Sequence, residues 1–266
     1  LLSFAETIAD PAKVRVVFVC VPTPSAEDGS ADLNIVRAVV ENLSTKLSPG
    51  AVIVLKSTVP VGTNADVKKW LGRDDLHLVS NPEFLQAGRA VETFQNPDRV
   101  VIGAESEEAG DQVAALYEGM EVTVVRTDPQ SAELIKYASN TYLALRLSFV
   151  NTLATLCEKG GGDASAVLKG MGLDARIGPA FLSPGPGWGG SCFPKDTRAL
   201  SAVARGIGAD TTLLEGSLLA NQLRFDQVAA QVKEAVGGGL SGKHIGVLGL
   251  TFKAETDDLR ESPALA

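Results

Sequence analysis

The sequence predicts an α/β chain: a doubly wound, mostly parallel sheet, then an all-helical domain around one long helix, then the start of a second α/β domain. Three observations carry this. Strand-like and helix-like segments alternate over residues 1–127, as in a parallel sheet with crossover helices. From Asp128 to about Lys169, Leu134, Tyr137, Leu145, Phe149, Leu153 and Leu156 recur at helical spacing. After Gly237-Gly238-Gly239, Lys243–Leu250 (KHIGVLGL) reads as a new parallel strand. The expected domains are 1–127, 128–236 and 237–266. A strand that opens a sheet without partners is not a whole domain, so the chain is expected to be an internal piece of a longer one.

The elements follow in order. Val14–Val21 is a continuous apolar, β-branched run, the mark of a strand buried on both faces. Leu33–Leu47 is amphipathic, with Asp32 as N-cap and Pro49-Gly50 as the stop. Ala51–Val54 is a strand, Gly62–Leu71 a helix, Leu76–Val79 a short strand. Arg99–Gly103, a helix near Glu107–Glu118, and Val122–Val125 complete the sheet region. The long helix ends at Gly160-Gly161-Gly162 and a short one follows it. Arg176 to Pro194 is a Gly/Pro-rich loop, and helices run from Thr197 to Gly206 and from Thr212 to about Val236.

Composition narrows the function. The 266 residues are 45% apolar, which excludes a disordered chain. With 24 basic and 32 acidic side chains the net charge is −8, which argues against a nucleic-acid or anionic-membrane surface. No apolar run approaches a bilayer span, and no basic-then-apolar leader opens the sequence. Cys20, Cys157 and Cys192 are odd in number and far apart, which suggests a reducing, cytoplasmic setting. His77 and His244 have no Cys or His at ligand spacing, so no metal site is expected.

Several segments could carry chemistry. Gly185–Gly190 (GPGWGG) spells G-x-G-x-x-G, but no strand precedes it and Pro186 sits in the turn, so it is not read as a dinucleotide fingerprint. Cys192 follows on that loop with Lys195 three residues on. It is either an activated nucleophile or a small buried thiol. Cys20, within a strand, and Cys157, on an apolar helix face, read as buried thiols. Lys136 and Asn140 share a helix face; they form either a solvated surface, which the pattern alone favours, or a desolvated cation beside a site. Asn81-Pro82-Glu83 reads as an N-cap with Pro at N1, or as a carboxylate at the ligand-binding edge of a parallel sheet. Val21-Pro22-Thr23-Pro24 and Ser57-Thr58-Val59 follow strands at the same kind of edge.

Taken together, these segments resemble the UDP-glucose / GDP-mannose dehydrogenase family. VPTP, STVPVGT (57–63), NPEFL (81–85), IKYASN (135–140), GPGWGGSCFPKD (185–196) and GLTFKAETDDLRESPAL (249–265) occur in family order over nearly the whole chain. The Cys192 loop is the most specific of them and is more similar to UDP-glucose members than to others. The resemblance implies Rossmann-like outer domains, NAD as cofactor, a nucleotide sugar such as UDP-glucose as substrate, and a homodimer or larger homo-oligomer. Cys192 then matches the nucleophile. Lys136 and Asn140 match groups holding the sugar and its oxyanion, Thr58 and Asp196 a water-positioning pair, and Glu83 the base for thioester hydrolysis. Val21, Pro22, Thr23, Pro24, Ser57, Thr58, Val59, Lys195 and Arg260 match cofactor contacts. Glu83, Phe84, Leu85, Phe181, Ser183, Gly185, Gly187, Trp188, Gly189, Phe252 and Lys253 match substrate contacts, and Arg176 one that reaches the neighbouring subunit.

The implied chemistry accounts for these residue types. A primary alcohol loses two hydrides on its way to a carboxylate; a thiol captures the intermediate aldehyde, and the resulting thioester is hydrolysed. Two departures stand out. The family's NPEFLxEG has a second glutamate where this chain has Ala87, so reduced activity is expected. The family's glycine fingerprint falls about 60 or more residues before Leu1, at roughly 30 per βα unit, so weak NAD binding is expected of residues 1–266. Alternatives are a GDP-mannose enzyme, a two-electron Rossmann dehydrogenase and a non-catalytic dimerisation module.

Overall fold

A computed structural model describes residues 4–8 and 10–266. It forms two compact units, Leu1–Tyr137 and Ala138–Ala266.

The first unit is a five-stranded sheet: β1 (Val16–Val19), β2 (Val52–Leu55), β3 (His77–Ser80), β4 (Arg99–Ala104) and β5 (Thr123–Thr127), in that spatial order. All neighbours pair parallel except β3 and β4, so the sheet is mostly parallel, as expected. Helices α1 (Asn34–Ser44) and α2 (Thr63–Leu71) pack one face, and α4 (Glu107–Ala115) the other. Strand period decides which residue serves which layer. Ile53 and Leu55 join Val36, Val40 and Val67, while Val52 and Val54 join Ala109 and Val113. Each such valine, leucine or isoleucine contributes about 1.5–3 kcal/mol of burial. α3 (Ala90–Gln95) buries no residue, so it has no apolar stripe from which the sequence could announce it.

One expectation fails here. Val14–Val21 read as a strand buried on both faces, yet only Val19 of β1 is buried and Phe18 is 39% exposed. Among the described residues β1 pairs only with β2, and an edge strand cannot be covered as β2 is.

Helix α5 (Pro129–Gly160) follows β5. Asp128 caps it, accepting from the Ser131 amide and hydroxyl at 2.8 and 2.6 Å, with Pro129 at the first helical position. A Cβ on Gly103 of β4 would stand 2.5 Å from Ala132 Cβ, so glycine lets the first turn of α5 lie on the sheet. The helix ends where expected, with Gly161 at φ +77°.

In the second unit α5 continues and is joined by α6 (Ala164–Gly172), α7 (Phe193–Gly206) and α8 (Thr212–Ala235). The expected strand at Lys243–Leu250 does not form; the segment is irregular and exposed, with Leu248 99% accessible. Among the described residues this unit has no strand, so the backbone of residues 243–250 finds no ladder to join. The chain after it turns back onto the loop before α7. The Gly190 amide donates to the Arg260 carbonyl at 3.0 Å, and Arg198 holds Glu261 through two bonds of 2.8 and 2.7 Å. A Cβ on Gly189 would lie 1.8 Å from the Glu261 carbonyl oxygen, so this contact requires glycine.

Candidate active site

In the first unit, the loops leaving the parallel strands gather the expected residues. After β1 and β2, Val21–Pro24 and Ser57–Val59 are laced together. The Ser57 hydroxyl accepts from the Val21 amide at 2.8 Å and donates to the Val21 carbonyl at 2.6 Å, while the Thr23 hydroxyl donates to the Thr58 carbonyl at 2.8 Å. The two hydroxyls therefore hold the loops to each other. What the loops offer a dinucleotide is a wall of backbone and small side chains at the carboxyl edge of the sheet, where such ligands lie. That wall fits one flank of NAD. Among the described residues no glycine-rich turn joins a strand to a helix to take the pyrophosphate.

The third loop carries the charge. Glu83 reaches Lys136 on α5, with Oε1 3.1 Å from Nζ, and its other oxygen accepts from the Leu85 amide at 2.5 Å. Lys136 is 3% exposed, so the solvated-face reading is wrong: the helix face that carries it is turned inward, and only a carboxylate partner makes a buried ammonium tolerable. The Phe84 ring lies under both Lys136 and Arg99, with Lys136 Nζ 5.3 Å and Arg99 Cζ 3.8 Å from its centroid. Leu85 is exposed.

Asn81 is no N-cap, since no helix starts there. It is wholly buried, donates from Nδ2 to the Val101 carbonyl at 2.7 Å, and accepts at Oδ1 from Lys56 Nζ at 3.0 Å and the Tyr117 hydroxyl at 2.5 Å. Burial outweighs the neighbouring carboxylate for Lys56 and lowers its pKa to about 8. Lys56, Asn81, Glu83, Phe84, Arg99 and Tyr117 line one cleft of about 280 Å³. Sequence reading passed over Lys56 and Tyr117; the available signal was a lysine closing the apolar run VIVLK. It also passed over Glu133, one turn before Lys136. Its oxygens accept the Gly62 and Asn64 amides at 2.7 and 2.8 Å, capping α2, and burial pushes its pKa up to about 7.

Cys20, read as a buried thiol, is exposed, because β1 ends at Val19 and the thiol falls on the loop beyond. Cys157 is half-buried.

In the second unit, Cys192 is exposed and occupies the N-cap position of α7, which starts four residues earlier than the helix the sequence predicted. Pro194 in the first turn is what the helical pattern obscured. The next turn brings Asp196, 1% exposed, whose carboxylate takes Lys195 Nζ at 2.5 Å and the Asn140 side-chain amide at 2.6 Å. Asn140, Lys195 and Asp196 thus meet. The loop ahead of Cys192 is clamped by α5 and α8. Asn151 accepts the Gly185 amide at 2.8 Å, and Arg224 donates to the Gly185 carbonyl at 2.9 Å. Asn221 both accepts the Trp188 amide and donates to its carbonyl at 2.8 Å, and the Trp188 indole donates to Ser148 at 2.8 Å. GPGWGG is therefore a packed support for the thiol. Gly187 lies against Phe225, and Gly190 against Phe252.

The remaining expected residues lie mostly at the surface, with the Arg260 guanidinium within electrostatic reach of Cys192. Arg176 is exposed and tied to Asp174 at 2.6 Å, Ser183 and Lys253 are exposed, and the Arg260 guanidinium is held by Asp258 at 2.7 Å. Phe181 sits at φ +56° with its ring 6.4 Å from that of Phe193. No helix among the described residues is long and apolar enough to cross a membrane.

Comparison with known proteins accounts for the pattern. Residues 2–121 match the UDP-glucose/GDP-mannose dehydrogenase family, NAD binding domain, and residues 130–223 match the central domain of the same family. The UDP-glucose 6-dehydrogenase of Rhizobium meliloti is 44% identical over 94% of this chain and 60% of its own length. A UDP-glucose dehydrogenase structure from Pyrobaculum islandicum superposes with a TM-score of 0.90 at 40% identity, over 99% of this chain and 63% of its own. A UDP-D-ManNAc dehydrogenase structure from Pyrococcus horikoshii follows with a TM-score of 0.88 at 26% identity, over 98% and 63%. The chain spans about 60% of the length of the curated relatives it matches. With the fold, the Cys192 loop and both matched domains in agreement, this chain belongs to the UDP-glucose/GDP-mannose dehydrogenase family.

Proposed function

We propose that the protein to which this chain belongs oxidises the C6 primary alcohol of UDP-glucose to the carboxylate, with NAD as hydride acceptor. The carrying observation is Cys192: an exposed thiol at the head of α7, on a loop held by five hydrogen bonds from α5 and α8, one turn ahead of a sealed Asp196. A two-electron alcohol oxidation has no use for a thiol so placed. UDP-glucose is preferred to GDP-mannose because relatives named for UDP-glucose share 40–44% identity, whereas a GDP-mannose dehydrogenase structure shares 28%.

NAD, when bound, takes a hydride at each of two steps; Val21–Pro24 and Ser57–Val59 would flank it. The chain's own groups do the rest. In the first oxidation the Lys136 ammonium stabilises the alkoxide as the hydroxyl proton leaves to water. The Cys192 sulfur then adds to the aldehyde carbon, and its proton ends on the new hydroxyl. Loss of the second hydride and of that hydroxyl proton leaves a thioester. Glu83 takes a proton from the attacking water, and the carbon–sulfur bond breaks to return the thiol and release the acid. Asn140, Asp196 and Thr58 position the oxygen atoms, and Arg176, Phe252, Lys253 and Arg260 contribute contacts to the nucleotide sugar and cofactor. A reducing cytoplasm keeps Cys192 competent.

The reading includes a homodimer through α5. Tyr142, Phe149 and Leu156, seven residues apart on one face, are 60%, 56% and 60% exposed. Sedimentation of a Phe149→Glu variant as monomer, against a dimeric parent, tests that part. NADH yield with limiting UDP-glucose tests the function: two per sugar is expected, one indicates a two-electron dehydrogenase, and none refutes catalysis.

A further inference from the structure

We propose that Lys56 is a positioning residue for Glu83: from beneath the Asn81–Glu83 turn, its ammonium and the Tyr117 hydroxyl together hold Asn81 Oδ1 and so fix where the Glu83 carboxylate faces the cleft. The proposal rests on the role of Glu83 given above. Lys56 directly follows β2, the strand buried on both faces, and its amide donates to the Val19 carbonyl at 3.0 Å, which fixes the main chain from which its stem departs. Its Nζ lies 3.0 Å from Asn81 Oδ1 and 3.1 Å from the Tyr117 hydroxyl, and 5.6 Å from the Tyr117 ring centroid. Asn81 is locked from its other end by the Val101 carbonyl and by its own amide, which donates to Leu55 at 2.9 Å. Two residues on, Glu83 has one oxygen on the Leu85 amide and the other on Lys136. The turn between these fixed points is too short for Asn81 to move without carrying Glu83 with it.

The charges facing Lys56 come from four elements: Glu83 after β3, Cys20 after β1, Lys136 on α5, and the Tyr117 hydroxyl beyond α4. Glu83 favours the ammonium, while burial and Lys136 oppose it, so Lys56 loses its proton near pH 8. An ammonium donates to Asn81; a neutral amine donates more weakly and leaves Glu83 without a second cation. The effect of Lys56 is thus present below about pH 8 and lost above it.

The experiment compares Lys56→Met, which keeps the stem, and Lys56→Arg, which keeps the charge, in the full gene-encoded protein. For Lys56→Met kcat is expected to fall about tenfold or more, with KM for UDP-glucose changing by less than about twofold. Lys56→Arg restores most of the rate and removes the decline through pH 8. In parallel, ¹³Cδ-glutamate NMR follows Glu83: its resonance shows an inflection near pH 8 in the parent and none in Lys56→Arg, whose guanidinium does not titrate there. Unchanged kcat in Lys56→Met, or a parent Glu83 signal with no inflection near pH 8, overturns the proposal. A parent that makes no NADH refutes the assigned function instead, and the resonance still decides the coupling. If Lys56→Met does not fold, the arginine variant carries both readouts.

Discussion

Glu83 and Asp196 are both carboxylates set against a lysine, one in each unit, and their settings differ in one decisive respect. The Glu83 side chain keeps 25% of its surface exposed and lies on a loop, whereas Asp196 keeps 1% and lies in a helix with every near contact a donor. A carboxylate that must exchange protons with water has to meet water; one that only orients its neighbours is better sealed, because a fixed charge then acts in a low dielectric. On the proposed mechanism, the same ion-pair chemistry would serve two purposes, sorted by access. Glu133, also sealed but held by the Gly62 and Asn64 amides and the Ser80 hydroxyl rather than by a lysine, makes a third arrangement in which the acid supports the fold.

The largest effect is expected beside the sealed carboxylate. Cys192→Ser should lower acid production to below roughly a thousandth of the parent rate while the fold survives, since the thiol is exposed. Product analysis that still finds full turnover to the acid would place the nucleophile elsewhere. Asp196→Ala attacks the contrast itself: leaving Lys195 and the Asn140 amide without their partner should cost about 3–5 kcal/mol in urea unfolding. Glu83→Ala leaves the buried Lys136 ammonium without its carboxylate and should cost about 2–3 kcal/mol in the same assay, less than the Asp196 loss because the Glu83 side is partly exposed and water can enter the space it leaves. Equal losses for the two would abolish the distinction.

Glu133 gives a pH signature of opposite sign to an ordinary paired acid. Its folded-state pKa of about 7 lies above that of the unfolded chain, near 4.5, so the folded state binds the extra proton. Stability from this group is therefore full below about pH 4.5 and declines as pH rises to about 7, by roughly 3 kcal/mol. Glu133→Gln should flatten that slope, read as Tm against pH, while lowering stability overall, because one of the Gly62 and Asn64 amides would face an amide nitrogen. A slope that persists in the variant would assign it to another group. The smallest effect is expected from Ala87→Glu, which restores a carboxylate to the exposed Glu83 loop: a gain in rate of less than about tenfold. No gain means that the position is idle in this chain.

Much of this was legible from spacing. Turn residues marked the ends of α2 and α5 to within a residue or two, since Gly62 and the Gly160–Gly162 run act locally. The motifs also singled out Glu83 with Lys136 and Asn140 with Asp196, pairs that the fold joins. Less legible was which way a face would turn. Lys136 read as solvated because IKYAS allows either orientation, and only Glu83, 53 positions away in sequence, makes the inward one stable. Cys20 and Phe18 read as core because an apolar run does not say whether its strand will have neighbours on both sides. Lys243–Leu250 has strand composition and no sheet to enter.

Local order, then, belongs to the sequence: alternation fixes the two faces of β2, caps fix helix ends, and residue chemistry fixes what a site could do. Those are interactions over a few residues, and every one of them is written in the order of side chains. Burial and pairing belong to the tertiary structure. Lys56, Tyr117 and Asn81 come from three separate segments, and the lowered pKa of Lys56 exists only because folding removes water from it and brings the Lys136 charge near, against the opposing pull of Glu83. A charge acquires its strength from its surroundings, and these are assembled only when distant parts of the chain meet.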